Sequence, residues 1–146
     1  MAIKRDDFPL PDVTDPITAP FFAGAARGEL LITRCTTCRA WVWYPQESCP
    51  HDGGVLAWER ASGRGTLFSW AVVQRPFLPA FAEMVPFVAA LVALDDDPAV
   101  RLCGYVVDAP AGELVPDAPL DVVFRPLEFP TVPGRSVTVP MWRVRP

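Results

Sequence analysis

Most of the second half of the chain consists of short segments with the apolar patterns of β-strands, separated by turn residues. The segment Pro86–Leu94 is almost continuously apolar, as expected for a strand that is buried on both faces. Four further β-rich segments are Leu67–Gln74, Val100–Val107, Leu120–Arg125 and Val137–Val144. Five short strands at this spacing, separated by turn residues, predict a small β-barrel.

A helix and two short strands are predicted ahead of this barrel. Asp15 can cap a helix with Pro16 in its first turn, and Gly28 can end it. Its apolar stripe consists of Ile17, Phe21, Phe22 and Ala25. This stripe packs on the protein's own core or docks on a partner, and the pattern leaves both open. Leu30–Arg34 and Trp41–Tyr44 read as short strands on either side of the first cysteines.

Composition supports a folded, β-rich protein. About half of the 146 residues are hydrophobic (51%), and the 18 prolines favour short strands and many turns. The net charge of −4 argues against a nucleic-acid partner, because such proteins present a basic face. A local basic patch stays open, since four arginines lie near the C-terminus: Arg125, Arg135, Arg143 and Arg145.

The chain shows no feature of a secreted or membrane protein. Prolines rather than an apolar run follow the charged residues at positions 4–7. The longest apolar run, Val85–Leu94, is interrupted by Pro86 and is too short to cross a membrane. We therefore expect a cytoplasmic protein whose cysteines stay reduced and serve a metal site or the core.

The strongest chemical signal is a pair of tight turns of the kind that bind zinc. Cys35 and Cys38 form a Cys-x2-Cys knuckle, and Cys49 opens a second turn of the same shape. Zinc takes four S, N or O ligands from two such facing turns. Asp52 stands where the fourth cysteine is expected and is the favoured fourth ligand; His51, one position earlier, is the alternative. The remaining hypothesis is a ribbon that has lost its metal and is held by packing.

Little else in the chain points to catalysis. His51 is the only histidine, so a Ser-His or Cys-His pair would have to recruit a residue of the ribbon, and we expect no enzyme activity from the chain alone. Cys103 lies in an apolar strand and is predicted to be buried. The loop from Arg75 to Phe81 offers a cation and aromatic side chains, either to a ligand or to its own barrel.

The ordered series of motifs resembles a known family over nearly the whole chain. These are small bacterial and archaeal proteins with an N-terminal helix, a rubredoxin-like zinc ribbon and a C-terminal OB-fold. The motifs that carry the resemblance are Pro20–Leu30, Cys35-x2-Cys38, Tyr44-Pro45, Cys49-Pro50, Ser62–Trp70 and Pro86–Leu94. Asp52 departs from the family pattern, which has a fourth cysteine there.

The resemblance implies a mainly β fold in three parts. Residues 1–34 are the N-terminal helical segment and lead-in strand, residues 35–58 the zinc ribbon, and residues 59–146 the five-stranded OB-fold barrel. It also implies a non-catalytic subunit that associates with a thiolase-like enzyme, either a thiolase or an aldolase of CoA thioesters such as those from steroid side chains. In that role Arg75, Phe77 and Phe81 would contact acyl-CoA. A nucleic-acid-binding protein is the alternative, since zinc ribbons and OB-folds both occur in that class.

Overall fold

The computed structural model describes residues 5–146, so the first four residues of the predicted helical segment lie outside the described residues. Within the described part, one α-helix (α1, Ala19–Ala26) precedes eight strands that form two sheets. The strands of the small sheet are β1 (Leu31–Cys35), β2 (Trp41–Val42) and β3 (Leu56–Arg60). The strands of the barrel are β4 (Arg64–Val73), β5 (Phe87–Leu94), β6 (Arg101–Val106), β7 (Pro119–Leu127) and β8 (Val137–Val144).

Helix α1 begins later than predicted and ends where predicted. The Asp15 carboxylate accepts a hydrogen bond from the Ile17 N–H, but this closes a turn that precedes the helix. Pro20 explains the later start, because a proline belongs in the first turn of a helix and not in its interior. Gly28 adopts a φ of 76° just beyond the helix, and the Glu29 N–H reaches back to the Gly24 carbonyl at 2.9 Å, which confirms the predicted stop.

The small sheet joins the two knuckles. β1 lies in the centre and pairs antiparallel with β2 on one side and β3 on the other. The predicted lead-in strand is therefore the central strand of this sheet, and β3 is its partner from Leu31 through Cys35. The division of the chain at residues 34 and 58 stays a prediction.

The remaining strands close into a barrel in the order β4-β5-β6-β8-β7. All neighbours are antiparallel except β6 and β8, which are parallel and share the pair Val106 and Trp142. This strand order is that of the five-stranded Greek-key barrel known as the OB-fold, so the predicted fold class is confirmed. The loop between β4 and β5 and the loop between β7 and β8 lie where OB-folds commonly bind their ligands.

The apolar core spans the barrel and one end of the small sheet. Trp142, Leu67, Leu120 and Val92 are almost completely buried in it, and Ile32 from β1 belongs to the same cluster. Phe21 packs against this cluster, and Phe22 packs against a second one around Phe129 and Met141.

The predicted stripe thus divides in two, because Ile17 lies before the first residue of α1. The rings of Phe21 and Phe22 face the protein's own core, whereas Ile17 stays 41% exposed. Within residues 5–146, none of the helices is long and apolar enough to cross a membrane.

Candidate metal centre

The first knuckle is a tight backbone turn between β1 and β2. The Arg39 N–H donates to the Cys35 carbonyl at 3.1 Å, and the Cys35 N–H donates to the Ala40 carbonyl at 2.9 Å. Arg39 has a φ of 63°, which turns the chain back towards β2. This turn holds the thiols of Cys35 and Cys38 on the same side.

The second knuckle repeats this turn at the same relative positions. The Gly53 N–H donates to the Cys49 carbonyl at 2.8 Å, and the Cys49 N–H donates to the Gly54 carbonyl at 2.9 Å. Gly53, like its counterpart in the first knuckle, has a positive φ, of 72°. Asp52 therefore occupies in this turn the position that Cys38 occupies in the first.

The two turns bring four ligand-type side chains together. The ligand atoms of Cys35, Cys38, Cys49 and Asp52 all lie within 4.8 Å of one another. The Sγ atoms of Cys38 and Cys49 are 3.7 Å apart, and the Cys35 Sγ lies 3.4 Å from the Asp52 Oδ1. A zinc ion with Zn–S bonds of about 2.3 Å and tetrahedral angles needs sulfur atoms about 3.8 Å apart. The donor set and its spacing thus fit zinc.

Backbone N–H groups point at the ligand atoms in both turns. The Cys38 N–H donates to the Cys35 Sγ and the His51 N–H to the Cys49 Sγ, each at 3.4 Å. The Gly54 N–H donates to the Asp52 Oδ1 at 2.8 Å. These donors favour the anionic forms that bind metal. His51 takes part through its backbone, and its exposed side chain lies outside the cluster of ligand atoms.

Gly54 leaves the room that the cluster needs. A Cβ atom at this position would lie 2.9 Å from both the Asp52 Oδ1 and the Cys35 Sγ. Any side chain there would push one of these two atoms out of place. The spacing of cysteines in the sequence does not reveal this requirement.

Two of the four groups are shifted towards ionisation. Burial raises the pKa of Cys35, but the N–H groups of Cys38 and Thr37 outweigh it and leave that pKa below its ordinary value. The Gly54 N–H, supported by the neighbouring thiols, holds the pKa of Asp52 below its usual range. Both groups are therefore prepared to bind a cation.

Cys38 shows the opposite shift. The Ala40 N–H lowers its pKa, but burial, the adjacent thiols of Cys35 and Cys49 and the negative charge of Asp52 raise it to about 11. Four anionic groups cannot crowd together without a compensating charge. A divalent cation bound by these four groups would supply that charge.

The surroundings of the site fix the two knuckles relative to each other. The Thr36 N–H and hydroxyl both donate to the Val55 carbonyl, at 2.9 and 3.0 Å. Arg34 and Arg39 both form ion pairs with Glu59 of β3 at 3.1 Å. The apolar contribution is small, because the buried cluster here contains only Cys35, Cys49 and Val42 among the described residues, with Leu56 packed against it.

The three residues predicted to contact CoA lie together in the loop between β4 and β5. Arg75, Phe77 and Phe81 line a cleft of about 160 Å³. Phe81 stacks on Phe87 of β5, whereas the ring of Phe77 is 86% exposed. Within residues 5–146, Arg75 makes no ion pair.

The loop continues into an apolar surface on the outside of the barrel, which we call the outer face. It is a shallow cleft of about 580 Å³, and every described residue that lines it is uncharged. Its floor consists of Ala71, Ala89, Leu91, Cys103 and Tyr105. Phe81 and Phe87 border both clefts.

The prediction that Cys103 is buried is wrong. Cys103 is exposed, because alternate residues of β6 face outwards and its neighbour Leu102 takes the inward position. Its Sγ lies 3.9 Å from the Tyr44 hydroxyl at the edge of the small sheet.

Comparison with known proteins agrees with this architecture. The sequence model of the "ChsH2, rubredoxin-like zinc ribbon domain" matches residues 22–59, and that of the "ChsH2, C-terminal OB-fold domain" matches residues 58–125. A chain of the solved "Ltp2-ChsH2(DUF35) aldolase" is 30% identical to this one, with a TM-score of 0.74; the match covers 92% of this chain and 98% of that chain. No curated protein matches the chain.

A more distant structure supports the fold alone. It is a protein of unknown function from the DUF35 family of Sulfolobus solfataricus, with 13% identity and a TM-score of 0.58 over 92% of this chain and 89% of that one. Fold and site together define a zinc-ribbon and OB-fold protein whose cofactor is zinc. The chain belongs to the ChsH2 (DUF35) family.

Proposed function

We propose that this chain is a non-catalytic, cytoplasmic auxiliary subunit that associates with a thiolase-like enzyme and helps to form its acyl-CoA site. The observation that carries this proposal is the likeness, over almost the full length of both chains, to a chain of the Ltp2-ChsH2(DUF35) aldolase. The enzyme would be a thiolase or an aldolase of CoA thioesters, with its catalytic residues on the partner. Zinc would be structural, since four protein ligands leave no open position for a substrate.

The ligand set belongs to the same proposal. Cys35, Cys38 and Cys49 bind the ion through sulfur, and Asp52 binds it through oxygen. The support is the equivalence of the two turns, in which Asp52 and Cys38 hold corresponding positions. Asp52→Ala should weaken zinc binding far more than His51→Ala, as measured by chelator competition. The opposite order would make His51 the ligand.

The outer face supports association with a partner. Contiguous apolar surface that is open to solvent commonly marks a protein interface. Phe21 and Phe22 pack against the two core clusters, so we assign docking to the outer face and the exposed Phe77.

Association is tested by co-expression with a candidate thiolase-like enzyme from the same genome, followed by size-exclusion chromatography. The two proteins should elute together. Ala89→Arg places a charge in the middle of the outer face and should abolish co-elution without lowering the melting temperature. The matched control, Ala23→Arg on the exposed side of α1, should leave assembly intact. Co-elution that survives Ala89→Arg would remove the outer face from the interface.

Arg75 is proposed to meet a phosphate of CoA. A charge-assisted hydrogen bond to phosphate contributes roughly 1.5–3 kcal/mol, so Arg75→Ala should raise the apparent acyl-CoA KM of the assembly about tenfold to a hundredfold. The kcat should change little if the contact is equally strong in the ground and transition states. Arg64→Ala, at the opposite end of β4, is the matched control and should leave KM unchanged. Equal effects of the two variants would argue against a CoA contact at Arg75.

The alternative, a nucleic-acid-binding protein, has less support. Three of the four C-terminal arginines face acidic partners: Arg125 pairs with Asp108, Arg135 with Asp7, and Arg145 with Asp121. Among the described residues, Arg143 is the one of these four without an ion pair, so the C-terminal arginines offer little unpaired positive charge to phosphates. Sub-micromolar binding of a single-stranded oligonucleotide that weakens steeply with salt would favour the alternative.

A further inference from the structure

The zinc ribbon has a buried side and an exposed side. Cys35 and Cys49 are buried, whereas Cys38 and Asp52 are exposed. The only oxygen donor among the four ligand atoms therefore lies at the solvent edge of the site. Position 52 is therefore the position at which the donor type of the site departs from sulfur.

We propose that Asp52 is a metal-selectivity determinant, which gives this ribbon a donor set of three sulfurs and one oxygen and disfavours soft, thiol-seeking metals. The proposal rests on the ligand set proposed above and adds a consequence to it. Thiolates select soft ions such as cadmium and cuprous copper, whereas carboxylate oxygen suits harder ions. Relative to a ribbon with four cysteines, this site would hold zinc well and discriminate more strongly against cadmium.

The geometry makes the oxygen a fixed ligand and not a loose substitute. The Gly54 N–H holds Oδ1 at 2.8 Å, and the same atom lies 3.4 Å from the Cys35 Sγ. Cys38 places its Sγ in the same cluster from the corresponding position of the first turn. Because both turns have the same backbone, a cysteine at position 52 should also reach the ion.

The test compares metal preference in three proteins: the native chain, Asp52→Cys and His51→Cys. Each is prepared without metal and equilibrated with zinc and cadmium together, and the bound metals are quantified. Asp52→Cys should raise the preference for cadmium over zinc by about tenfold or more, because a fourth soft ligand replaces the oxygen. His51→Cys adds the same thiol one position away, outside the cluster, and should leave the preference unchanged.

Cobalt gives a second readout that does not depend on activity or on stability. The sulfur-to-cobalt charge-transfer absorption of the native chain should be about three quarters of that of Asp52→Cys, because three thiolates bind instead of four. Equal intensities, or an unchanged cadmium preference in Asp52→Cys, would overturn the selectivity role. Native protein that binds zinc no better than Asp52→Ala would instead remove Asp52 from the ligand set.

Discussion

The metal end of the ribbon and the barrel are stabilised by different means, although the small sheet connects them. In the barrel, large side chains such as Leu67 and Trp142 are almost wholly buried in one continuous cluster. At the metal end, the buried cluster has three members within residues 5–146, two of which are cysteines. Burial of apolar surface therefore stabilises the barrel, whereas the knuckles depend on the ion, on turn hydrogen bonds and on ion pairs to Glu59.

The reliance of the knuckles on the ion explains how so small a ribbon can fold. A segment that cannot bury enough apolar surface needs a metal or another cross-link to offset its conformational entropy. The structure also shows where the two regions are joined. Leu30 and Ile32 belong to the barrel's core cluster, and the ring centroids of Phe21 and Trp43 are 5.1 Å apart. The inner end of the ribbon therefore shares the barrel's core.

Removal of zinc should have the largest effect and should separate the two regions most clearly. Structural zinc in small ribbons contributes about 10–16 kcal/mol of binding free energy that is coupled to folding. Chelation should lower the melting temperature and open residues 35–40 and 49–54, while β4 to β8 keep their structure. Hydrogen exchange measured by mass spectrometry would show this, and added zinc should restore protection. Knuckles that exchange equally slowly without metal would mean that packing alone holds the ribbon.

A cavity in the barrel should have the next largest effect. Leu67 is fully buried, so Leu67→Ala should destabilise the protein by about 2–5 kcal/mol in chemical unfolding. Zinc content should stay at one ion per chain, because the knuckles do not depend on this side chain. Leu78→Ala, at a position that is 42% exposed, is the matched control and should cost far less. If Leu67→Ala lowered the zinc content as well as the stability, the two regions would not be stabilised independently.

Crowding inside the ribbon should produce a smaller and more local change. Gly54→Ala places a Cβ 2.9 Å from the Asp52 Oδ1 and the Cys35 Sγ, and such overpacking costs about 1–3 kcal/mol. Zinc affinity, measured by chelator competition, should therefore fall about tenfold to a hundredfold. Gly53→Ala is the control: its φ of 72° makes alanine unfavourable, but no atom lies within 4 Å of the new Cβ. Gly53→Ala should lower the stability of the protein with little change in zinc affinity. Equal zinc affinities in Gly53→Ala and Gly54→Ala would contradict this prediction.

The sequence predicts the two regions through different signals, and each signal has a limit. The barrel follows from apolar strands, but that pattern does not say which residues face outwards. A β-bulge between Leu67 and Ser69 shifts the register of β4, and Cys103 lies on the outer side of β6. A strand whose outward-facing residues are apolar has the same sequence pattern as a strand that is buried on both faces. The prediction that Cys103 is buried is wrong for this reason.

In the ribbon, the spacing of the cysteines predicts the two turns, whereas the pattern of apolar residues does not. The position of Asp52 in its turn can be read from the spacing, since it follows Cys49 as Cys38 follows Cys35. The sequence does not delimit β3, because its five residues are three apolar ones followed by two charged ones and lack the alternation of a half-buried strand. The predicted start of α1 is too early because the Asp15-Pro16 pair resembles a helix start, whereas Pro20 occupies the first turn of the helix that forms.

The smallest expected effect is on the surface of the barrel, where an ion pair joins Arg125 of β7 to Asp108 in the turn after β6. The Arg125 guanidinium donates to both carboxylate oxygens of Asp108 and holds the pKa of that carboxyl below its ordinary value of 3.8. A carboxyl whose pKa is lowered by folding stabilises the folded state above its unfolded pKa, and this contribution is lost as the pH falls through the folded pKa. Both side chains are substantially exposed, so the contribution is small and is screened by salt.

Asp108→Asn tests this contribution without backbone strain, since asparagine tolerates the φ of 60° found at this position. Urea unfolding of the native chain and of the variant should show a small stability difference at neutral pH. The difference should shrink as the pH is lowered below about 4, where the carboxyl is protonated in the unfolded chain and then in the folded one. High salt should reduce the difference at neutral pH as well, because the pair is exposed. A difference that stayed constant from neutral pH to well below this range would show that Asp108 acts through the shape of its turn and not through its charge.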